Sequence, residues 1–298
     1  MGATSVIETG YRRDGSPYEG IPKLRLHDLV PFKDHPFRVV DDDRMMETVE
    51  SVKEYGVLVP IIVRPIEDGL FEIVSGHRRK RACELAGIDE IPVIVRNLDD
   101  DEATIIMVDS NLQRENILPS ERAKAYQMKL EAIRHQGSRS SETSRQIVGK
   151  LESADIVGQS TGESGRQVQR FIRLNSLEQP LMDKVDRGEL GFTPAVELSY
   201  LRPEEQEWVD HALEATQQTP SLSQAQRIKA ESKEGTLTEA GVHKIISEEK
   251  KPLYNSVTLS HDTLKKYFPR SYTAKQMETV IIRLLDAWLK KRQQTQQR

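Results

Sequence analysis

An α+β fold is predicted by two features of this chain. Short β-branched runs punctuated by glycine are confined to the first third, and amphipathic helical spacing fills the remainder. The length of 298 residues adds a third, because it exceeds one typical domain and calls for two or three compact units. Residues 1–20 are polar and without a period, which reads as a disordered arm. Lys23 to Leu29 forms a short strand, and Pro31 to Arg38 a loop. Asp41 to Tyr55 places Met45, Met46, Val49, Val52 and Tyr55 at helical spacing, and Gly56 stops that helix. Strands follow at Pro60–Arg64 and Leu70–Val74 around a Gly69 turn, then a helix from His77 to Ala86 between Gly76 and Gly87. Strand Ile91–Val95 and helix Asp100–Gln113 complete a mixed α/β unit over residues 21–116.

Everything beyond is helical. Pro119 and Ser120 open a helix that ends near Gln136. Residues 137–152, rich in Ser, Thr and Arg, read as a linker. Helices follow at 154–159, 164–175, 178–187, 193–200, 203–216, 221–231, 238–248 and 273–292, before a polar tail. We divide this part into an all-helical helix-turn-helix domain, 117–216, and a helical C-terminal region, 217–298.

Composition narrows the function classes. No apolar run approaches the roughly 18 residues that span a bilayer, and residues 1–20 lack an apolar signal core. Cys83 is the sole cysteine, which excludes disulfides and cysteine-rich metal sites and points to the cytoplasm. The net charge of −4 does not announce a nucleic-acid binder. Between Ser120 and Asn175, however, ten Lys and Arg stand against six acids, so any DNA contact is expected from this local basic surface.

Three separated segments fit one nucleotide site. Gly56, Val57, Leu58 and Pro60 belong to a helix-to-strand turn whose backbone can meet a base, or which is simply a turn. Gly76, His77, Arg78 and Arg79 open a helix, where unpaired amides, the helix dipole and guanidinium forks favour phosphate. Asn111 offers an amide oxygen suited to Mg²⁺, or a helix C-cap, and Arg114 a phosphate ligand. Near pH 7, His77 is neutral or cationic and favours an anion more than a glutamate there would. The acidic run Asp99–Glu102 sits at a helix start, where acids cap and complement the dipole, which speaks against a two-metal nuclease.

A second constellation is a DNA reader. Ala154–Gly158 gives a short helix, Gln159–Glu163 a turn, and Ser164 caps a helix whose Val168, Phe171 and Ile172 face inward. Arg166, Arg170 and Arg173 lie at i, i+4 and i+7 on another face, with Gln167 and Gln169 beside them, as in a recognition helix. Further on, Met277, Val280, Ile281, Leu284, Leu285 and Trp288 make an apolar stripe suited to self-association or to docking on the same chain.

The chain resembles the ParB family of DNA-partition proteins over about residues 21 to 205. Four segments occur in that family's order and spacing: Gly56–Pro60, Ser75–Ala82, Ile91–Val95, and Asn111 to Glu115. The resemblance implies a nucleotide-binding domain, a helix-turn-helix domain and a dimerising C-terminus. It further implies CTP with Mg²⁺, double-stranded DNA at a centromere-like site closed into a clamp, a nucleoid location, and a ParA-type ATPase partner. By resemblance, Gly56 to Pro60 meet the cytosine, Gly76 to Arg79 the phosphates, and Asn111 the metal. Two departures matter: His77 and Ser110 stand where the family's motifs carry glutamate. Both lost carboxylates are candidates for positioning Mg²⁺ or water, which puts CTP hydrolysis in doubt. The same fold resembles sulfiredoxin and small-molecule kinases, but sulfiredoxin has a cysteine where this chain has Gly76. A nucleotide-independent helix-turn-helix regulator is the other alternative.

Overall fold

The computed structural model describes residues 21–114, 116–140, 149–248, 264, 266–269 and 271–296. The N-terminal arm, residues 1–20, lies outside them. Five short strands form one mixed sheet: β1 (Lys23–Arg25), β2 (Leu29–Val30), β3 (Ile61–Pro65), β4 (Phe71–Ser75) and β5 (Glu90–Val95), in the order β1-β5-β3-β4-β2. β3 runs parallel to β5, with Ile61 opposite Val93, and antiparallel to β4, with Val63 opposite Ile73. The single strand expected over Lys23–Leu29 is instead two, joined by a 3-10 turn at Leu26–Asp28, so that they pair with opposite edges of the sheet.

Helices α1 (Asp43–Tyr55) and α2 (His77–Ala86) cover one face. Met45, Val49 and Val52 of α1 and Ala82 and Cys83 of α2 pack on Ile61, Val63, Ile73, Ile91 and Val93. Cys83 is thus a small core residue. α1 starts where Asp42 accepts the Met45 amide at 2.8 Å, and stops at Gly56, whose φ is +72°. α3 (Asp100–Leu112) begins in a capping box of Asp99 and Glu102, the role expected for that acidic run.

A second core runs from Val74 of β4 through α3 into the helical part: α4 (Pro119–Ser140), α5 (Gly149–Gln159), α6 (Gly165–Leu174), α7 (Gln179–Asp186), α8 (Phe192–Leu198), α9 (Pro203–Thr216), α10 (Leu222–Glu234) and α11 (Glu239–Ser247). One continuous apolar cluster therefore joins the sheet to the helices. α4 reaches Ser140 and α5 starts at Gly149, so residues 137–152 are not a linker throughout; 141–148 lie outside the described residues. Residues up to 248 form one compact unit and 249–298 a second, so the sequence division at 217 falls inside the first unit. In the second unit, α12 (Ala274–Gln296) exposes Leu284, Leu285 and Trp288 around a 420 Å³ hollow.

Candidate functional site

The first site grows from the crossing of α1 and α2. α2 can begin beside β3 only because residue 76 is glycine: its φ is +111°, and a Cβ there would lie 2.4 Å from Ile61 Cγ2. This approach brings the start of α2 to the Gly56–Pro60 turn. Arg79 Nη1 donates to the carbonyls of Val59 (2.7 Å) and Pro60 (2.6 Å). Arg79 then closes a 270 Å³ hollow lined by Thr48, Ser51, Val52 and Gly56–Val59. Leu58 and Val59 are 76% and 61% exposed at its rim. Burial pulls the Arg79 pKa below its ordinary value, which is the signature of a guanidinium held by neutral partners.

The neighbouring arginines differ. Arg78 Nη2 lies 3.0 Å from Asp42, and Arg81 grips Asp41 with two bonds at 3.1 and 2.6 Å. These hydrogen bonds hold both aspartates below the usual carboxylate range. Asp41 and Asp42 lead into α1, so two of the α2 arginines fasten α1 to α2.

His77 is neutral, the first of the two states expected for it. Its Nε2 accepts the Phe32 amide at 3.3 Å, and its ring lies 3.9 Å from that of His35. Burial first, then the nearby charges of His35, Arg114 and Lys80, lowers its pKa to about 3. His35 donates Nδ1–H to Phe37 O at 2.7 Å, leaving Nε2 buried and without a hydrogen-bond partner among the described residues. The loop from Phe32 to Arg38 is thus part of this site, which sequence reasoning missed; its closely spaced histidine and phenylalanines were the available signal. Arg114 comes to the same place, its guanidinium 5.9 Å from the Phe37 ring and near enough to Arg78 for mutual repulsion.

Asn111 stands apart. It is 4% exposed, and its Nδ2 donates to Met107 O (2.8 Å) and Ser110 Oγ (3.4 Å). It does not line the Gly56–Val59 hollow. Two of the three expected segments therefore meet through Arg79; of the third, Arg114 reaches the His77 loop while Asn111 is turned into its own helix.

The second site is built on α6. Ser164 caps it, accepting the Gln167 amide at 3.3 Å, and Gly165 N donates to Asp155 of α5 at 2.7 Å. Val168, Phe171 and Leu174 are buried, with Ile172 only partly so. Ser164 and Arg166 are exposed, whereas Gln167, Gln169, Arg170 and Arg173 are half-buried. Arg170 donates to Gln167 (3.2 Å) and Thr193 (3.0 Å) and lies over the Phe192 ring. Arg173 donates to Ser199 Oγ (3.2 Å) and Ser199 O (2.6 Å) and lies 4.2 Å from the Tyr200 ring. Hydrogen bonds and stacking thus hold both cations without cancelling their charge. A 740 Å³ groove between α4, α6 and α8 is lined by Arg166, Gln169, Arg170 and Arg173 together with Arg134 and Tyr200. The last two carry no local motif, and only the packing brings them to the groove. Among the described residues no helix is long and apolar enough to cross a membrane.

A mixed α/β domain with an arginine-loaded helix start, sharing its core with a basic helical region, defines the class of protein. Residues 12–112 match the model of the ParB N-terminal domain, and this part of the chain belongs to that domain family. It is 37% identical over 175 residues to a probable chromosome 1-partitioning protein ParB of Deinococcus radiodurans, covering 59% of this chain and 54% of that one. It is 33% identical over 189 residues to the chromosome-partitioning protein Spo0J of Thermus thermophilus, covering 63% of each. The chain thus spans just over half to under two thirds of the length of these relatives. A C-terminally truncated ParB of Caulobacter crescentus, solved with the centromeric parS site, overlaps 76% of this chain and 98% of its own at 23% identity and a TM-score of 0.42.

Proposed function

We propose that this chain is a sequence-specific DNA-binding partition protein whose N-terminal domain binds CTP and gates its grip on double-stranded DNA. The observation that carries the nucleotide half is the Arg79 hollow. A half-buried guanidinium held by carbonyls keeps its charge for an anion, and the backbone of Gly56–Pro60 lies beside it. At 270 Å³ the hollow suits a base rather than a whole nucleotide, since drug-sized ligands occupy roughly 300–1,000 Å³. The phosphates would then run over the first turn of α2, where the His77 and Arg78 amides lack intrahelical acceptors.

No group of three His, Cys, Asp or Glu among the described residues could hold a metal ion by itself. Mg²⁺ would accordingly be met by phosphate oxygens and water, and Asn111 would add its amide oxygen only by turning out of its bonds to Met107 and Ser110. At His77 the acceptor lone pair is already taken by the Phe32 amide, so it offers no general base and the nucleotide acts as a bound switch. DNA would lie in the α6 groove, with Arg166, Gln167 and Gln169 toward bases and Arg170 and Arg173 toward phosphate. The α12 stripe would join two copies into a cytoplasmic, nucleoid-associated clamp that works with a ParA-type ATPase.

Calorimetric titration with CTP and Mg²⁺ tests this reading. Arg79→Ala is expected to weaken CTP binding by roughly 10- to 100-fold, the loss of a charge-assisted bond. DNA binding followed with and without CTP separates a gated clamp from a plain regulator. Equal, negligible CTP binding by wild type and variant overturns the nucleotide switch and leaves the regulator.

A further inference from the structure

α4 carries Arg122, Tyr126 and Lys129 at i, i+4 and i+7, one stripe of the helix, and all three hold the turn between α5 and α6. Arg122 pairs with Glu163 at 2.9 Å. The Tyr126 hydroxyl meets Thr161 Oγ1 (2.9 Å) and donates to Glu163 (3.0 Å). Lys129 does something further. It is 4% exposed, and its Nζ donates at once to Asp109 Oδ1 of α3 (2.6 Å) and to Ser160 Oγ of the turn (3.0 Å). Asp109 stands two residues before Asn111 in the last turn of α3, and Ser160 opens the turn that leads to the Ser164 cap of α6. One buried ammonium therefore bridges the end of the α/β domain and the start of the DNA-reading element.

Stability is a poor reason for such a group. A well-packed hydrocarbon in its place is often neutral or better, whereas an unpaired buried charge is strongly unfavourable. That asymmetry makes the pair a linkage: the ammonium cannot stay behind when its carboxylate moves. We propose that Lys129 is a positioning residue that couples the Asn111 end of α3 to the geometry of the DNA-reading turn. The proposal rests on the nucleotide-and-DNA reading above. Displacement of the last turn of α3 draws Nζ with Asp109 and strains or frees its bond to Ser160, which re-aims α6. By linkage the effect is reciprocal, so DNA on α6 biases α3 equally.

The test uses the full chain, CTP with Mg²⁺, and a labelled duplex that wild type selects from a random-sequence pool. Three quantities are measured for each protein: CTP affinity without DNA, DNA affinity without CTP, and the factor by which CTP changes DNA affinity. Wild type is expected to give a coupling factor between about 5 and 150. Lys129→Met is expected to keep each single-ligand affinity within about threefold while its coupling factor falls toward 1. Asp109→Asn alters a less buried partner, guards against misfolding of the first variant, and is expected to lose coupling likewise. The double variant is expected to lose no more than either alone. A coupled wild type with coupling intact in both single variants overturns the Lys129 assignment and leaves the nucleotide reading standing. A wild type that binds no CTP, or binds it without effect on DNA, overturns both.

Discussion

The starts of α2 and α6 both present three arginines within one to three turns, yet they spend them differently. At α2, two of the three are bound to carboxylates and fasten α1 to α2, leaving Arg79 on carbonyls beside the hollow. At α6, Arg166 is exposed, and Arg170 and Arg173 are braced by neutral oxygens and aromatic rings. An arginine held by an aspartate is largely neutralised; one held by a carbonyl, a hydroxyl or a ring keeps its charge for a ligand. Counting arginines therefore overstates the first site and describes the second fairly. Each helix also begins at a glycine in close contact: Gly76 against Ile61 of the sheet, Gly165 against Asp155 of α5.

The largest expected effect bears on those glycines. Gly76→Ala combines a left-handed backbone with a clash against Ile61, and we expect a loss of about 2–5 kcal/mol in unfolding free energy. Gly165→Ala also clashes, with the Asp155 carboxylate that accepts the Gly165 amide and with the Asp155 backbone nitrogen 2.9 Å away, but it carries no left-handed backbone and gains helix propensity, so a smaller loss is expected. Chemical denaturation of both variants compares them, and equal losses would show that the left-handed backbone at Gly76 adds nothing to the clash.

The His77 prediction sharpens the electrostatic contrast. Its folded pKa of about 3 lies below the 6.5 of an ordinary imidazole, so between these values the unfolded chain takes up a proton that the folded chain refuses. This contribution to stability is complete above pH 6.5 and declines as pH falls toward 3, at up to about 1.4 kcal/mol per pH unit. His77→Gln is expected to flatten the dependence of Tm on pH over this range. An unchanged slope would mean that His77 is not held neutral by the Phe32–His35 loop.

The smallest effect concerns α6. Arg166→Ala is expected to leave Tm unchanged and to relax discrimination between DNA sequences, with the slope of log Kd against log salt nearly intact. Arg173→Ala should lower Tm, because it removes the two bonds to Ser199, and should reduce that slope by about one. If Arg166→Ala instead reduces the slope with discrimination intact, Arg166 meets phosphate.

Much of the fold was legible because its signals are local. Glycines at 56, 76 and 87 mark the ends of α1 and α2, and the buried positions of α1 repeat at helical spacing. The acidic capping box of α3 is likewise a four-residue pattern. Less could be read where long-range pairing decides. Lys23–Val30 divides between two sheet edges because β5 and β4 each leave an edge free for it. Arg78 looked like a phosphate ligand until the fold brought Asp42, 36 residues away, against it.

Sequence by itself determined the order of the helices, Val168 and Phe171 as inward residues of α6 and the family of the N-terminal domain, since each depends on residue type at short, fixed spacing. Tertiary structure alone decided which cations remain available for a ligand, that His77 is neutral, that Asn111 turns inward, and that Lys129 spans α3 and the α5–α6 turn. Charge, burial and pairing are properties of neighbours, and these neighbours meet only when the chain is folded.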